Sequence, residues 1–329
     1  REGAGGITAY ATDRAGSIAV FALAGRLFVT DVAAGTTTEL GVDGPVFDPR
    51  PSPDGALIAY VRGSALCVVD RDGAPVATIA EPGDRPGANT VSWGSADFVA
   101  AEEMHRFRGY WWSPDGTALA TCRVDEAPVH VWHIADPANP GTPPRPVRYP
   151  SAGTPNPDVE LYVVHLDRPG EPVEVSAATL GTPDWPYLAS VGWSSAGLAA
   201  VTQSRDQRRT VTLLIDPATG STTELATDDD PHWVELVPGA GVLVGTADAP
   251  VLVTAADRGG ARRLMVGGEP VSPPDVQVRS ILDARTDSVL VGGNPLADAT
   301  VQHVYRWSPD GFTALTDLAD DGVHTAAAG

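Results

Sequence analysis

Two adjacent glutamates, Glu102 and Glu103, are the residues of this sequence best placed to do chemistry. They stand in the segment ADFVAAEEMHRFRGYWWSPDG, which begins at Ala96 and runs from a short helical pattern into a strand and a turn. An ammonium group has three N–H donors, and two neighbouring carboxylates can accept charge-assisted hydrogen bonds from it. The pair therefore predicts a receptor for a cation. Without context, an adjacent pair of glutamates is more often a solvated surface feature, so the surrounding residues must decide between the two interpretations.

The elements around the pair must turn both side chains towards one ligand. Apolar spacing predicts a helix of two or three turns over about residues 96–106. Consecutive helical residues do not share a face, so we expect the glutamates to converge from a helix end or a bend. Arg106 and Arg108, which flank Phe107, are predicted to orient Glu102 and Glu103 by ion pairing.

Net charge limits the partners of the chain. Its 329 residues include 42 acidic and 22 basic side chains, a formal charge of -20. Such a chain repels nucleic acid and anionic membrane surfaces, and we predict neither as a partner. No apolar run has the length of a membrane span, and the start REGAGGITAY lacks a signal-peptide pattern, so we expect a cytoplasmic location.

Cysteine, histidine and aspartate offer weaker candidates for chemistry. Cys67 and Cys122 each lie in an apolar run and are predicted to be buried free thiols. His130 and His133 are three apart on a strand-like segment and would point to opposite faces, which does not suit one metal ion. The acidic run at residues 228–230 lacks the alternating ligands of a calcium loop. We predict no metal site and no cofactor.

A turn motif recurs along the chain and predicts its architecture. Copies of Ser-Pro-Asp-Gly begin at Ser52, Ser113 and Ser308, and each is followed by an alternating apolar run. Pro fixes φ, Asp bonds the backbone ahead and Gly takes a positive φ, so each copy predicts a hairpin leading into a strand. A weaker copy that begins at Asp13 places Gly16 39 residues before Gly55 of the copy at Ser52, close to the length of one propeller blade.

Longer gaps between later copies require insertions. One is the segment with the glutamate pair, and another is the Pro-rich stretch at residues 135–157. The chain is predicted to be an all-β β-propeller with about six or seven blades present and a short helical insertion near residues 96–106.

Several segments beyond the turn motif carry a family resemblance. They are D-F-V leading to E-E at residues 97–103, W-W-S-P-D-G at 111–116, R-Y-P with A-G and N-P at 148–157, and S-R-D-Q at 204–207. Together they resemble the N-terminal propeller of bacterial dipeptidyl peptidase IV-like serine peptidases, in the prolyl oligopeptidase clan. The acidic pair with the following W-W-S-P is specific to that branch.

This resemblance implies a function for the pair. In the family an eight-bladed propeller caps an α/β-hydrolase domain, and an acidic pair on a helical insertion holds the α-ammonium of a peptide. Glu102 and Glu103 match that pair, and cleavage then falls after the second residue. The implied partners are peptides with a free N-terminus and the protein's own C-terminal hydrolase domain, and the intact protein is expected to form a homodimer. We therefore expect residues 1–329 to be a single incomplete propeller domain, with the hydrolase domain absent.

The sequence departs from the family in two places. The family arginine that contacts the substrate carbonyl lies on a long connection between two strands. In this chain Ala24-Gly25 makes that connection short, and Arg26 is not assigned the role. No G-x-S-x-G nucleophile elbow exists in residues 1–329, and the nearest match, at residues 192–196, ends in Ala196. We predict no catalytic residue in this chain, and whether it belongs to an enzyme stays open.

Two other function classes remain. A non-catalytic propeller that binds a protein or glycan, or acts as a scaffold, fits the same repeats. A small-molecule hydrolase with a metal in the propeller channel would need converging carboxylates and histidines, and the sequence offers no such set.

Overall fold

The computed structural model describes residues 6–80, 90–176 and 185–327. Within these ranges the regular structure consists of twenty-seven β-strands and one short α-helix. The strands form six antiparallel sheets of four or five strands and one two-stranded ribbon. The fold is the predicted all-β β-propeller, and the described residues form six of its blades. The chain divides into two compact units, residues 1–182 with 218–220 and residues 183–217 with 221–329.

The first unit holds three blades and the ribbon. Blade 1 contains β1 (Ala11–Thr12), β2 (Ile18–Leu23), β3 (Arg26–Asp31) and β4 (Thr36–Leu40). Blade 2 contains β5 (Val46–Pro51), β6 (Leu57–Arg62), β7 (Ala65–Asp70) and β8 (Pro75–Ile79). Blade 3 contains β9 (Val91–Trp93), β10 (Tyr110–Trp112), β11 (Ala118–Asp125), β14 (Asp158–His165) and β15 (Val173–Glu174). Two insertions interrupt it: helix α1 (Phe98–Glu103) lies between β9 and β10, and the ribbon of β12 (Val131–Ile134) and β13 (Arg145–Arg148) lies between β11 and β14.

The second unit holds three four-stranded blades. Blade 4 contains β16 (Tyr187–Ser194), β17 (Gly197–Gln203), β18 (Arg209–Ile215) and β19 (Thr222–Asp229). Blade 5 contains β20 (Val242–Thr246), β21 (Ala249–Arg258), β22 (Ala261–Val266) and β23 (Glu269–Pro270). Blade 6 contains β24 (Val276–Arg285), β25 (Ser288–Pro295), β26 (His303–Ser308) and β27 (Gly311–Ala314).

Apolar side chains between neighbouring blades form the core of each unit. In the first unit, one buried cluster joins blades 1 and 2 through Ile18, Leu27 and Ile58, and another joins blades 2 and 3 through Leu66 and Leu119. In the second unit the largest cluster joins blades 5 and 6. Successive residues of β6 and β7 enter opposite clusters, since Ile58 and Cys67 belong to the first and Ala59 and Leu66 to the second, so blade 2 is buried on both faces.

The Ser-Pro-Asp-Gly turns at Ser52 and Ser113 are nearly identical. In each, the Ser Oγ donates to the Asp two residues on at 2.6 Å and accepts from the backbone N–H five residues on at 2.9 Å. Gly55 and Gly116 take φ of 71° and 73°. The turn at Ser52 connects β5 to β6, and the turn at Ser113 connects β10 to β11.

The copy at Ser308 is a different turn. Ser308 is the last residue of β26 and pairs with Gly311, so Pro309 and Asp310 form a two-residue hairpin between the third and fourth strands of blade 6. The first two copies occupy equivalent places in their blades, and the third does not. The S-R-D-Q segment, in contrast, resembles the first two turns although it has no glycine. Ser204 Oγ donates to Asp206 at 2.7 Å, and Gln207, which stands where those turns have Gly55 and Gly116, takes φ of 59°.

Candidate functional site

The glutamate pair lies on an insertion that interrupts one strand of blade 3. β9 and β10 pair with successive parts of the same strand, β11, and residues 94–109 leave the sheet between them. Both ends of the insertion bond to one residue, since Gly94 N–H donates to the Cys122 carbonyl at 3.0 Å and Cys122 N–H donates to the Gly109 carbonyl at 2.7 Å. A Cβ on Gly109 would lie 2.4 Å from the backbone of Gly94 and Ser95. The glycine therefore allows the two ends to touch and fixes the insertion at its base.

Helix α1 begins and ends at identifiable residues. Asp97 is its N-cap and accepts from the Ala100 N–H at 3.0 Å. The helix ends after Glu103 because Met104 leaves helical geometry and His105 takes φ of 55°. It is thus six residues long, shorter than the two or three turns predicted for residues 96–106. Glu102 and Glu103 are its last two residues, at the helix end where convergence on one ligand is possible.

A buried ion pair holds the helix against the blade. Arg106 Nη2 lies 2.8 Å from Asp97 Oδ1, and the two side chains are only 5% and 7% exposed. Arg106 Nη1 also donates to the Arg108 carbonyl at 2.8 Å and lies 3.6 Å from the Cys122 Sγ, while its backbone N–H donates to the Ala100 carbonyl at 3.0 Å. The arginine expected to pair with the glutamates instead pairs with the residue that caps their helix.

Both glutamate side chains are exposed. No hydrogen bond or ion pair to either carboxylate is formed within residues 6–80, 90–176 and 185–327. They also lie at the C-terminal end of the helix, where a negative charge is unfavourable by about 0.3–1 kcal/mol. The structure therefore keeps two carboxylates in a place where helix stability would favour neutral or basic residues.

Aromatic side chains lie beside the helix. Phe98, on the first turn, makes an edge-to-face contact with Tyr149 at 5.3 Å between ring centroids, and Tyr149 makes another with Trp132 of the ribbon at 6.1 Å. Arg148 fixes the base of the ribbon, because its Nη1 donates to the Glu126 and Val129 carbonyls at 2.9 and 2.8 Å. Burial raises the pKa of Glu126, and Arg148 opposes that shift. The ribbon and the helix thus form one surface on blade 3.

Arg108, unlike Arg106, forms no side-chain network of hydrogen bonds and ion pairs among the described residues. Its Nε is buried without a hydrogen-bond partner, and the guanidinium forms no ion pair with any acid in the described part of the chain. Burial, followed by the charge of Arg50, lowers its pKa to about 10. The predicted role of Arg106 and Arg108 in orienting Glu102 and Glu103 by direct pairing stays a prediction.

The β2–β3 connection is the tight turn that the sequence predicts. Ala24 and Gly25 take φ of 51° and 75°, and the Gly25 carbonyl accepts from Val46 N–H at 2.9 Å. Arg26 lies 2.9 Å from Glu39 and 5.3 Å above the Phe28 ring, so its side chain is occupied on blade 1. A cavity of about 500 Å³ lies beside the turn and is lined by Gly25, Phe47 and Ser95 among others. Ser95 belongs to the base of the helical insertion.

The remaining sequence candidates lie apart from the insertion's base or are already paired. His133 is in β12 and His130 just precedes it, and both are exposed. Asp228 and Asp229 form ion pairs with Arg258 and Arg209 at 2.9 and 3.0 Å. Among the described residues no group of three or more His, Cys, Asp or Glu side chains could hold a metal ion.

Cys67 and Cys122 are buried free thiols, as predicted. Burial raises the pKa of both. No helix in the described residues is long and apolar enough to cross a membrane.

Sequence reasoning missed two parts of the site. Asp97 was identified only as part of a matching segment, although an Asp before an apolar helical run is a known N-cap signal that could have pointed to it. The contact of Tyr149 with Phe98 joins residues about fifty positions apart, and the sequence contains no signal for it.

Comparisons with known proteins agree with this architecture. The family described as "Dipeptidyl peptidase IV (DPP IV) N-terminal region" matches residues 19–274. Probable dipeptidyl-aminopeptidase B of Aspergillus oryzae is 26% identical over 344 residues, covering 92% of this chain and 37% of that protein. Human dipeptidyl peptidase 8 is 30% identical over 145 residues, covering 38% of this chain and 16% of that protein.

Solved structures show the same fold. The crystal structure of Porphyromonas gingivalis dipeptidyl peptidase 4 aligns with a TM-score of 0.79 and 20% identity, covering 96% of this chain and 46% of that one. The chain thus spans less than half the length of these relatives. The family match covers most of the chain and includes the insertion with the glutamate pair. The chain belongs to the family of the dipeptidyl peptidase IV N-terminal region.

Proposed function

We propose that this chain is the propeller of a serine-type dipeptidyl peptidase and that Glu102 and Glu103 bind the α-ammonium group of the peptide substrate. One observation carries the proposal: two exposed carboxylates that bond no other described residue are adjacent at the end of a helix whose base is fixed by a buried ion pair. The family and the named relatives support the peptidase class.

The chemistry of the pair suits an ammonium ion. An α-ammonium has three N–H donors, and each carboxylate can accept one of them in a charge-assisted hydrogen bond. Such bonds contribute about 1.5–3 kcal/mol each. A ligand cation would also relieve the unfavourable position of the carboxylates at the helix C-terminal end.

Because the base of α1 is fixed, the glutamate pair can hold the N-terminus of a substrate at a constant position. The Asp97–Arg106 ion pair and the Cys122 backbone bonds fix where α1 lies on blade 3. A peptide held by its amine then extends a fixed distance, and a nucleophile at the right place cuts after the second residue. The nucleophile would come from an α/β-hydrolase domain outside residues 1–329, because this chain lacks G-x-S-x-G.

The test uses the protein that carries this chain and a panel of dipeptidyl p-nitroanilides with free amines. We expect Glu102→Gln and Glu103→Gln each to lower kcat/KM by roughly 10–100-fold, since each loses one charge-assisted hydrogen bond. Glu171→Gln, at an exposed glutamate of the same unit, is the matched control and should leave kcat/KM unchanged.

Two results would overturn the proposal. Unchanged kcat/KM in both glutamate variants would remove the pair from substrate recognition. No release of p-nitroaniline from any dipeptidyl substrate would favour the alternative, a non-catalytic binding or scaffold propeller.

A further inference from the structure

Three aromatic rings beside helix α1 are exposed although they contact one another. Phe98 meets Tyr149 edge to face with ring centroids 5.3 Å apart, and Tyr149 meets Trp132 with centroids 6.1 Å apart. Phe98, Tyr149 and Trp132 are 41%, 43% and 52% exposed. Single apolar residues are common on protein surfaces, but a contiguous group of large ones indicates a binding surface. We call these three residues the aromatic surface.

The aromatic surface stands on a fixed backbone. Phe98 is the first residue of α1, and Arg106 holds Asp97, the N-cap of that helix. Tyr149 directly follows β13, and its backbone N–H donates to the His130 carbonyl at 3.1 Å. Rings on a backbone held in this way present the same shape before a ligand arrives, which lowers the cost of binding.

Helix geometry places Glu102 next to the aromatic surface. Phe98 and Glu102 are four residues apart in α1, so they lie on one face with their Cβ atoms about 5–6 Å apart. Helical side chains tilt towards the N-terminus of their helix, so the Glu102 carboxylate leans towards Phe98. Ala100, which is buried, lies on the opposite face. Glu103 is turned away from Glu102 by about 100° and does not share the face of Phe98.

We propose that the aromatic surface binds the side chain of the first residue of a peptide substrate and selects for a large apolar one. This inference rests on the proposed function of the glutamates. The ammonium group and the side chain of an N-terminal residue are attached to the same Cα. A peptide whose amine is bound by Glu102 therefore brings its first side chain next to Phe98, where burial and ring contacts favour apolar and aromatic groups.

Charge favours a peptide N-terminus over other occupants of this apolar surface. Anything that covers the rings also approaches Glu102, whose carboxylate bonds no other described residue. An anionic membrane surface would be repelled by the chain's formal charge of -20. A second copy of the chain has the same excess of acidic residues and would have to supply a cation at this point. The N-terminal residue of a peptide combines a cation and an apolar group in one small ligand.

The experiment measures kcat/KM of the protein that carries this chain for dipeptidyl p-nitroanilides that differ only in their first residue. Glycine, alanine, leucine and phenylalanine occupy that position, and the second residue is kept as the one that is cleaved fastest. We expect kcat/KM to rise along this series because the larger side chains reach the rings. The phenylalanine substrate should exceed the glycine substrate by at least about 10-fold.

Variants assign that preference to the aromatic surface. Phe98→Ala should lower kcat/KM about 10-fold for the phenylalanine substrate and leave the glycine substrate unchanged, which separates a lost subsite from a misfolded helix. Trp132→Ala, at the ring that does not contact Phe98, should lower kcat/KM for the phenylalanine substrate by only about 2-fold. Trp233→Ala removes a tryptophan of similar exposure outside this surface, and this matched control should behave like the wild type.

The two proposals fail in different ways. If the glutamates bind the ammonium, Glu102→Gln and Glu103→Gln lower kcat/KM for every free-amine substrate, whereas the aromatic variants change the ratio between substrates. Equal kcat/KM for the glycine and phenylalanine substrates, or a preference that survives in Phe98→Ala, would overturn the aromatic subsite alone. No cleavage of any dipeptidyl substrate would overturn both proposals.

Size-exclusion chromatography of the same variants tests the other occupant. An unchanged oligomeric state in Phe98→Ala and Trp132→Ala, together with the lost preference, would support the subsite. A changed oligomeric state with the preference intact would identify the aromatic surface as a contact between copies of the chain and would overturn the subsite.

Discussion

Two arginines that are two positions apart, Arg106 and Arg108, have opposite surroundings. Arg106 closes a network in which its buried side chain reaches Asp97, a backbone carbonyl and the Cys122 sulfur. Arg108 is half-buried and keeps a buried Nε without a partner among the described residues. The paired charge of Arg106 fixes the place of the helix, whereas the side chain of Arg108 adds no ion pair within the described part of the chain. The acids at the two ends of α1 differ in the same way. Asp97 pairs with Arg106, whereas Glu102 and Glu103 have no partner among the described residues.

Arg106→Met should produce the largest loss of stability. It leaves Asp97 buried without its counter-ion, and breaking a buried ion pair from one side costs about 3–5 kcal/mol. Urea unfolding measures the loss. Arg108→Met, the matched variant two residues on, should cost nothing, and a similar loss in both variants would erase the contrast between the two arginines.

Tyr110→Phe should have an intermediate effect and would test how blade 2 is held against β10. Removing the hydroxyl leaves the Asp48 and Ala59 carbonyls without this donor, a loss of about 1–3 kcal/mol in the free energy of unfolding. Urea unfolding measures this loss. A free energy of unfolding equal to that of the wild type would show that the hydroxyl bonds do not stabilise the contact between blade 2 and β10.

Ser113→Ala should have the smallest effect, with a characteristic pH dependence. Ser113 donates to Asp115 and accepts from Ala118 N–H, so its removal should cost about 1 kcal/mol at pH 7. The Ser113 hydroxyl, followed by the Thr117 backbone N–H, lowers the pKa of Asp115 in the folded protein below its ordinary value of 3.8. That stabilisation is complete above the unfolded pKa and is lost as pH falls through the folded one.

The stability difference between wild type and Ser113→Ala should therefore narrow below about pH 4. Ser308→Ala is the control, because Ser308 has the same neighbours in sequence but ends a strand in a two-residue hairpin. Acid unfolding, followed by circular dichroism, measures the stability of both variants. A loss at Ser308 equal to that at Ser113 would mean that the turn geometry does not matter.

Local chemistry made the fold and the helix predictable from sequence. The Ser-Pro-Asp-Gly turns and alternating apolar runs predict a propeller, and the apolar spacing before the glutamates predicts the helix. The copy at Ser308 shows the limit, because strand pairing on both sides of a turn decides its type and the four residues alone do not. The helix is shorter than predicted because His105 adopts a positive φ, which no residue pattern indicated.

The charge arrangement was less predictable because it depends on distant residues. Arg106 and Arg108 look equivalent in sequence, and both were expected to face the glutamates. The contact of Tyr110 with Asp48 spans 62 positions and brings blade 2 beneath β10. No residue pattern near Arg106 and Arg108 indicates that Asp97 pairs with the first and not with the second.

The central claim is that Glu102 and Glu103 bind the N-terminal ammonium group of a peptide. The most direct measurement compares, in the protein that carries this chain, the affinity for a dipeptide amide with a free amine and for the same compound after N-acetylation. Acetylation removes the positive charge and two of the three donors, so we predict at least about 100-fold weaker binding. Equal affinity for the two compounds would contradict the claim.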